Sequence, residues 1–379
     1  MQKRWILYYL IILTAAAACR KAYQPPAVTT NYNYLVVEGI INTGTNAVTT
    51  ITISHTRNLG DTVSIISPET QAQVSIESEA GAGYPLVHQG NGIYQSAILN
   101  LGVTSKYRLK IAASGNTYQS ELVTPKQSPP IDSITFKQDH DVTVYVHAHD
   151  PNNKTTYYRW EYDETFQYRA AFDASLGVKN GRIFYRDATT QVYNCWGTQH
   201  STNVITASTL LLGSDVVSYV PLTVIRDSTE RLGVRYSINV FQYALTEEAY
   251  RYWDVIKKST QQTGSIFDLQ PSQLAGNIHN AANATEPVLG FVSAGSVTQK
   301  RIFIDNSQLS NWYYYSQQYK DLCVQTNGDQ DPVDYLHYVY PDTTYSPYYF
   351  ITPGIIAVQK TPCLDCTRRG GTTVKPTFW

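Results

Sequence analysis

Apolar and polar residues alternate in short runs along most of this chain. The clearest run is Val142–His149, in which every second residue from Val142 onward is Val or Ala. A period of two places these side chains on one face of a strand, and we expect that face to be buried. Similar runs recur from residue 34 to residue 124, with turn residues such as Gly44 and Gly115 between them. This pattern predicts a mainly β fold whose first domain is an Ig-like β-sandwich.

The predicted strands form two groups on either side of a proline-rich segment at 125–130. The first group comprises residues 34–41, 48–54, 62–66, 72–77, 105–113 and 116–123. The second comprises residues 131–137, 142–149, 155–163, 183–186, 191–195, 203–212, 216–225, 233–243, 288–294 and 298–304. Because proline disfavours both helices and central strands, we assign 125–130 as a linker. It would join a domain at 34–124 to a larger β-sandwich-like domain at 131–379.

One segment, residues 246–260, has helical periodicity. Thr246 is a suitable N-cap, acidic residues occupy the first turn, and lysines occupy the last. Ala249, Trp253 and Ile256 recur at helical spacing, so we expect them to face the sheet. The second domain should therefore carry one α-helix, followed by a Tyr-rich, irregular C-terminal tail.

The first nineteen residues have the pattern of an export signal. Lys3 and Arg4 precede an apolar run and then small residues that end at Cys19. This order predicts a lipoprotein signal peptide at 1–18 and a lipidated Cys19 that becomes the mature N-terminus, with palmitate among its acyl chains. The polar residues 19–33 would then be a tether.

Composition narrows the classes of partner. The formal net charge is −1 and no block of like charges is present, so nothing favours nucleic acid. No second apolar run has the length of roughly 20 residues that a transmembrane helix requires. Tyrosine is abundant, at 31 residues, which suits β-sheet faces that are half in water.

Four cysteines lie in the body of the chain, at Cys195, Cys323, Cys363 and Cys366. An exported protein meets an oxidising compartment, which favours disulfides over a redox-active Cys-x-x-Cys or a zinc site. We expect Cys195 and Cys323 each to bond one member of the close pair Cys363 and Cys366, because the tail would otherwise fray. The rival pairing joins Cys195 to Cys323 and leaves the close pair to itself.

Two groups of residues could suggest a metal site. His147 and His149 lie on one face of a predicted strand, but that face should be the solvated one. Asp329, Asp331 and Asp334 could offer oxygen ligands to Ca²⁺, yet the surrounding loop lacks the EF-hand pattern. We therefore predict no metal and no cofactor.

The sequence contains few specific motifs for catalytic or contact residues. Glu161 and Asp163 share a predicted strand face and could mimic a glycosidase pair. No nucleophile elbow, zinc-binding helix motif or phosphate-binding loop is present, so we predict that the protein is not an enzyme. The aromatic residues that could contact a ligand or partner are Trp312, Tyr313, Tyr314, Tyr315, Tyr348 and Tyr349. Cross-strand packing is the alternative role for them.

Several motifs, taken in order, resemble those of a known family. They are Leu35-Val36-Val37-Glu38-Gly39-Ile40, Ile131-Asp132-Ser133-Ile134, Asp150-Pro151, Tyr157-Tyr158-Arg159-Trp160, Ala249-Tyr250-Arg251-Tyr252-Trp253, Gly276-Asn277-Ile278, Val288-Leu289-Gly290-Phe291, Lys300-Arg301-Ile302, Cys363-Leu364-Asp365-Cys366, Gly370-Gly371 and Pro376-Thr377-Phe378-Trp379. Over nearly the whole chain this order resembles the exported lipoproteins that carry the domain of unknown function 4249.

The resemblance implies a lipoprotein of the outer membrane whose relatives often accompany TonB-dependent, SusC-like transporters. It implies no catalytic residues. Arg20 and Lys21 follow Cys19, where surface lipoproteins of this group usually carry acids, so the periplasmic or cell-surface face is left unassigned. We expect a non-enzymatic binding or accessory subunit beside such a receptor, with its ligand unknown. An adhesin-like or structural envelope component and a glycan or peptide hydrolase are the alternatives.

Overall fold

The computed structural model describes residues 33–57, 67–227, 229–261, 276–312, 319, 322–323 and 344–379, with the backbone of 328–330. Within these residues the chain is mainly β and carries one long helix, as predicted. The predicted signal peptide, Cys19, the tether and the predicted strand at 62–66 lie outside the described residues.

The elements are numbered in chain order. The strands are β1 (Leu35–Asn42), β2 (Thr50–His55), β3 (Ser67–Pro68), β4 (Gln73–Ser78), β5 (Gly83–Gly90), β6 (Ile93–Ser96), β7 (Tyr107–Ala113), β8 (Asn116–Ser120), β9 (Ile131–Gln138), β10 (Val142–His149), β11 (Tyr157–Arg169), β12 (Leu176–Lys179), β13 (Arg182–Tyr185), β14 (Asn194–His200), β15 (Ile205–Ser208), β16 (Val216–Ile225), β17 (Arg235–Leu245), β18 (Ile278–Asn280), β19 (Ser293–Gly295), β20 (Val297–Asp305), β21 (Gly328–Gln330), β22 (Tyr345–Thr352) and β23 (Ile355–Lys360). The helices are α1 (Glu247–Gln261) and α2 (Thr361–Leu364), with 3-10 turns at Glu230–Leu232, Asn306–Gln308 and Cys366–Arg369.

Ten strands, β1 to β8 together with β18 and β19, build a sandwich-like sheet around one core. Its order is β18-β8-β7-β4-β5-β6-β2-β1-β19, with β3 paired to β2. Val37, Ile51, Ile76 and Ile111 are almost fully buried in this core, because alternate residues of their strands face inward. Strands β5 and β6 were not predicted, since Gly, Pro and polar residues obscure their alternation.

Residues 276–295 return to the first sheet, although the predicted domain limits assigned them to the second domain. Strand β18 pairs with β8, and β19 pairs in parallel with β1. Strand β18 lies where no strand was predicted, and only the end of the predicted strand at 288–294 belongs to β19. Gly290 explains the close fit, because a Cβ there would lie 2.1 Å from the Val37 carbonyl oxygen.

The φ angles are +136° at Gly290 and +137° at Gly39, a region that residues with a side chain rarely adopt. Asn277 adds a second tie, because its side chain donates to the Val292 carbonyl and accepts from the Val292 amide, both at 2.8 Å. Two glycine motifs that are distant in sequence thus allow backbones to meet where a Cβ would not fit.

We predict that Tyr118→Phe loosens this returning segment in a pH-dependent way. The Tyr118 hydroxyl donates to Glu286 at 2.8 Å, and burial, followed by this carboxylate, raises the pKa of Tyr118 to about 12. A raised pKa means that the stabilisation is complete below the ordinary value of 10.0 and is lost as the pH rises towards 12. The variant should lose about 1 kcal/mol of unfolding free energy at neutral pH.

Urea denaturation of both proteins across this alkaline range measures the effect. The difference between wild type and Tyr118→Phe should be constant up to pH 10 and then shrink. Tyr84→Phe, which alters a half-buried tyrosine of the same sheet, is the control. An unchanging difference up to pH 12 would contradict the prediction.

The predicted linker is fixed by buried hydrogen bonds to the second domain. The Ser128 hydroxyl donates to the Gln242 carbonyl at 3.1 Å. The Gln242 amide group donates to the Pro129 carbonyl at 2.7 Å, and Thr298 donates to the same oxygen at 2.9 Å. Gln242 is completely buried, so these bonds are shielded from water. The linker is therefore part of the packed structure.

The second sandwich packs two sheets face to face. One has the order β16-β10-β9, and the other has the order β14-β11-β17-β20 with β15 beside β11. The alternate apolar residues of β10 are fully buried, as predicted, and they share a core with Trp160, Tyr236 and Ile238. Because the inner faces of β10, β11 and β17 supply this core, it forms only when distant parts of the chain meet.

Three predicted strands of the second sandwich have different limits in the structure. Strand β11 continues to Arg169, six residues past its predicted end. The predicted strand at 191–195 is displaced to β14, because the Gln191 side chain accepts from the Tyr193 and Asn194 amides and turns the chain. The predicted strand at 203–212 ends at Ser208, where a turn begins.

Helix α1 confirms the predicted helix with a shift of one residue. The Thr246 hydroxyl accepts from the Ala249 amide at 3.3 Å, which is the expected N-cap bond. Ala249 is buried, but Trp253 and Ile256 are only half-buried. The Arg159 guanidinium lies 3.7 Å from the centre of the Trp253 ring, so that ring covers an arginine of β11 and does not enter the core.

The C-terminal tail is more regular than predicted. Strands β22 and β23 form a hairpin, and β21 pairs with the other edge of β23. Gly354, with φ +91°, makes the turn. The alternation of this hairpin is broken by two register shifts, which is why the sequence pattern concealed it.

Candidate binding surfaces

Both disulfide bonds predicted for the tail are present in the structure. Cys195 bonds Cys366, and Cys323 bonds Cys363. The close pair is thus split between two long-range bonds, as predicted, and the rival pairing is wrong. Cys195, Cys363 and Cys366 are completely buried. The Cys195–Cys366 bond fixes the tail to β14 of the second sandwich, and the Cys323–Cys363 bond joins two segments of the tail to each other.

The end of the chain packs on the same sandwich through rings and cations. Trp379 contacts Trp196 and Phe303 edge to face, with ring centres 6.4 and 5.6 Å apart. The Arg301 guanidinium lies 3.6 Å from the centre of the Phe378 ring. Cation–π and aromatic contacts of this kind stabilise an exposed terminus without a large core.

The suggested carboxylate pair has structural partners. Glu161 accepts from the Tyr243 hydroxyl at 2.7 Å and is bridged to Arg159. Asp163 lies 2.6 Å from Nδ1 of His200. Burial, and then the Glu161 charge, raises the pKa of Tyr243, so the phenol donates to the carboxylate throughout the physiological range. The geometry accounts for both acids as ties between neighbouring strands.

A buried acid that sequence reasoning did not single out lies nearby. Glu164 is 3% exposed and accepts from the Tyr236 hydroxyl at 2.6 Å and from Arg231 at 2.9 Å. Burial raises the pKa of Tyr236 well above its usual value, with Glu164 adding to the effect. The sequence signal was the alternation of β11, which puts Glu164 on the same inward face as Trp160.

The two histidines considered as metal ligands, His147 and His149, each contact a different polar side chain. His147 is 2.8 Å from the Thr135 hydroxyl, and His149 is 2.8 Å from Asp132, whose hydrogen bond raises the pKa of His149. Both lie on the outer face of β10, as predicted. Among the residues that the structure describes, no group of three His, Cys, Asp or Glu is placed to hold a metal ion. Of the aspartates considered as Ca²⁺ ligands, Asp331 and Asp334 lie outside the described residues, and only the backbone of Asp329 is described.

A polar cleft lies at one end of the second sandwich. It has a volume of about 590 Å³ and is lined by Gln138, Asp139, His140, Asp227, Gln308, Ser310, Asn311 and Trp312. His140 and Asp227 approach to 3.3 Å, and Gln138 holds Ser310 through two hydrogen bonds of 2.8 Å. Trp312 is only 6% exposed, so its ring packs inward and offers little surface for stacking.

Exposed rings and aliphatic side chains lie on the tail hairpin and at the adjacent end of β13. We call Tyr185, Tyr349, Ile351 and Ile355 the hairpin patch; their exposed fractions are 71, 39, 41 and 40%. Tyr185 contacts Phe350, with ring centres 5.7 Å apart. Tyr348 contacts Tyr349 edge to face at 4.6 Å. Of the predicted contact residues, Tyr349 is therefore the one offered to solvent, while Tyr313, Tyr314 and Tyr315 lie outside the described residues.

A second exposed patch was missed by sequence reasoning. Leu210, Leu211 and Leu212 follow β15 and are 64, 95 and 56% exposed. A run of consecutive leucines is typical of a buried strand. For this reason the strand predicted at 203–212 was wrongly extended past Ser208, where β15 ends. None of the helices in the described part of the chain is long and apolar enough to cross a membrane.

Comparison with solved structures finds matches of low similarity. A two-domain fibronectin type III segment of chicken tenascin is 14% identical, covers 57% of this chain and 94% of its own length, and has a TM-score of 0.17. A DUF4785-family protein from Legionella pneumophila is 9% identical over 54% of this chain and 51% of its own, also at a TM-score of 0.17. The BSP domain of a biofilm-associated protein is 8% identical over 91% and 80%, again at 0.17. TM-scores this low support no conclusion, so the fold assignment rests on the strand pairings.

Sequence comparison identifies the family more directly. No curated protein matches the chain. A family model described as Domain of unknown function (DUF4249) matches residues 21–301, which span both sandwiches and helix α1. Since that match covers well over half of the chain, the protein belongs to the DUF4249 family.

Proposed function

We propose that this protein is a lipid-anchored, non-enzymatic binding or accessory subunit that works beside an outer-membrane TonB-dependent transporter. The observation that carries the proposal is the hairpin patch. Interfaces between proteins are enriched in tyrosine, which gives a large contact area at a small loss of conformational entropy. Tyr185 and Tyr349 are such residues. Tyr185 ends β13, and Tyr349 lies on β22 of the tail, which the Cys195–Cys366 bond holds to the second sandwich.

The attachment of the hairpin also supports a binding role. Ile356 and Val358 of β23 pack with Leu176 of β12 in a small separate core. The Ser175 hydroxyl donates to the Tyr348 carbonyl at 3.2 Å. A patch that is already ordered loses less entropy on binding than a flexible loop would. A partner could therefore engage it without refolding the tail.

Site-specific photocrosslinking in intact cells tests the proposed partner. A photoreactive phenylalanine analogue in place of Tyr349 should give a cross-link to a TonB-dependent transporter in cells that express both proteins. The same analogue in place of Val87, which is 62% exposed on the first sandwich, is the matched control. If the analogue at position 349 gives no cross-link to the receptor, the hairpin patch is not the contact. The same conclusion follows if positions 349 and 87 give cross-links of equal yield.

Anchoring by lipid has its own test. We expect Cys19→Ser to prevent acylation and to move the protein out of the membrane fraction. Each buried CH₂ of an acyl chain contributes about 0.8 kcal/mol, and stable attachment takes more than one chain. Fractionation of cells that produce the variant, with wild type alongside, measures the change. Unaltered membrane association of the variant would show that Cys19 is not the anchor.

A further inference from the structure

We propose that the loop between β15 and β16 inserts into the surface of a phospholipid bilayer. This leucine loop comprises residues 209–215, and its tip carries Leu210, Leu211 and Leu212. Leu211 is 95% exposed, more than any other large apolar residue in the described part of the chain. Exposing three adjacent leucines to water is unfavourable, and contiguous apolar surface of this kind marks an interaction site.

The base of the leucine loop is built to keep these side chains outward. Asp215, only 5% exposed, accepts from the Thr209 hydroxyl and from the Tyr158 hydroxyl, both at 2.9 Å. The Asp215 amide donates to the Asn153 side chain at 2.8 Å. The Leu212 amide donates to the Thr209 carbonyl at 2.8 Å and closes the tip. With both ends fixed in this way, the leucines cannot fold back onto the sheet.

The chemistry of the tip favours lipid over protein. Residues 201–214 contain no charged side chain, so burial of the tip in hydrocarbon would desolvate no charge. Leucine is among the residues that enter a bilayer most favourably, whereas it is under-represented among the residues that dominate protein interfaces. The hairpin patch, with its tyrosines, has the opposite character.

The surroundings of the leucine loop suit a membrane interface. A groove of about 350 Å³ separates the leucines from the start of α1, and it is lined by Tyr157, Tyr250, Glu247 and Arg251. The two tyrosine rings stack with their centres 4.8 Å apart. Tyrosine is enriched at the level of lipid headgroups because its ring is apolar and its hydroxyl is polar. Polar and charged groups behind an apolar tip would limit the depth of insertion.

The inference rests on the proposed function for the presence of a membrane in the cell, since the lipid at Cys19 would bring the body close to one. The affinity of the leucine loop for lipid does not depend on that anchor. The test therefore replaces the anchor: a chain that begins at Arg20 with a hexahistidine tag is attached to vesicles that contain nickel-chelating lipid. All contacts described above lie after residue 32, so this chain retains them.

Fluorescence of a single label reports insertion. Leu211→Cys carries an environment-sensitive dye, and the other cysteines of this chain are held in disulfides. On vesicles of phosphatidylethanolamine and phosphatidylglycerol, we expect blue-shifted emission and severalfold stronger quenching by spin-labelled lipid than for Ile98→Cys. Ile98 is 68% exposed on the first sandwich and is the matched control.

A second variant separates insertion from simple proximity. Leu210→Ser and Leu212→Ser, added to the labelled Leu211→Cys, should reduce the quenching to the level of the control while the circular dichroism spectrum stays unchanged. If the dye at position 211 stays as exposed to water on the vesicles as the dye at position 98, the proposal is wrong. It is also wrong if the dye becomes protected only when outer-membrane protein is added, because the occupant would then be a protein. Neither result bears on lipidation of Cys19 or on the receptor cross-link, which are read out separately.

Discussion

Replacing Cys195 and Cys366 together by serine is expected to produce the largest loss of stability of any change to the tail. The bond spans 171 residues of sequence, and it holds the tail to the edge strand β14. Closing a loop of this length restricts the unfolded chain by about 5 kcal/mol in the chain-entropy treatment, an upper value because the unfolded chain retains some structure. Urea denaturation under non-reducing conditions measures the loss.

The second disulfide is the matched control. Cys323 and Cys363 are separated by only 40 residues, so the same treatment gives about 4 kcal/mol for Cys323→Ser with Cys363→Ser. The 195–366 double variant should therefore be the less stable of the two. It should also expose the bridge between Trp196 and Thr372 to hydrogen exchange, since those backbone bonds join the tail to β14. The reverse order of stability would show that tail packing, and not loop closure, dominates.

Trp160→Ala is the second large effect that we expect, at about 3–5 kcal/mol of unfolding free energy. Trp160 is completely buried at the centre of the second sandwich and stacks on Tyr158, with ring centres 5.5 Å apart. Removal of the ring leaves a cavity and also takes away the indole N–H, which donates to the Gln242 side chain at 2.9 Å. Gln242 in turn holds Pro129, so the loss should reach the linker.

Two further variants separate these causes. Trp160→Phe keeps most of the ring but leaves the side-chain Oε1 of Gln242 without its indole donor, which should cost about 1–3 kcal/mol. Trp253→Ala removes a half-buried indole and should cost less than Trp160→Ala, although sequence periodicity placed Trp253 in the core. Chemical denaturation monitored by circular dichroism compares the three proteins. Equal losses for Trp160→Ala and Trp253→Ala would contradict the assignment of Trp160 to the core.

Local patterns in the sequence were sufficient for most strands and for the helix. The alternation in Val142–His149 predicted both the limits of β10 and its buried face, and Thr246 marked the start of α1. Each of these signals lies within a few residues of the element that it predicts. Where the local signal was weak, as in the Gly- and Pro-containing β5, the strand was missed.

The candidate binding surfaces were less accessible to sequence reasoning. Tyr349 was named as a contact residue, but nothing in its pattern distinguished it from the half-buried Tyr348. The three leucines of the leucine loop were assigned to a strand. Their exposure depends on Asp215, Thr209 and Tyr158, which meet only in the folded protein. A pattern of apolar residues cannot report that a turn holds them away from the core.

The sequence by itself determined the mainly β character of the protein, the position of its long helix, the expectation of two long-range disulfides, and the order of motifs that resembles its family. These properties follow from local periodicity, capping chemistry and residue type. Only the tertiary structure decided that residues 276–295 complete the first sheet, that Cys195 pairs with Cys366, and which apolar side chains remain in water. Those outcomes depend on contacts between segments far apart in the chain, and the free energy of such contacts is set by which surfaces meet when the chain folds.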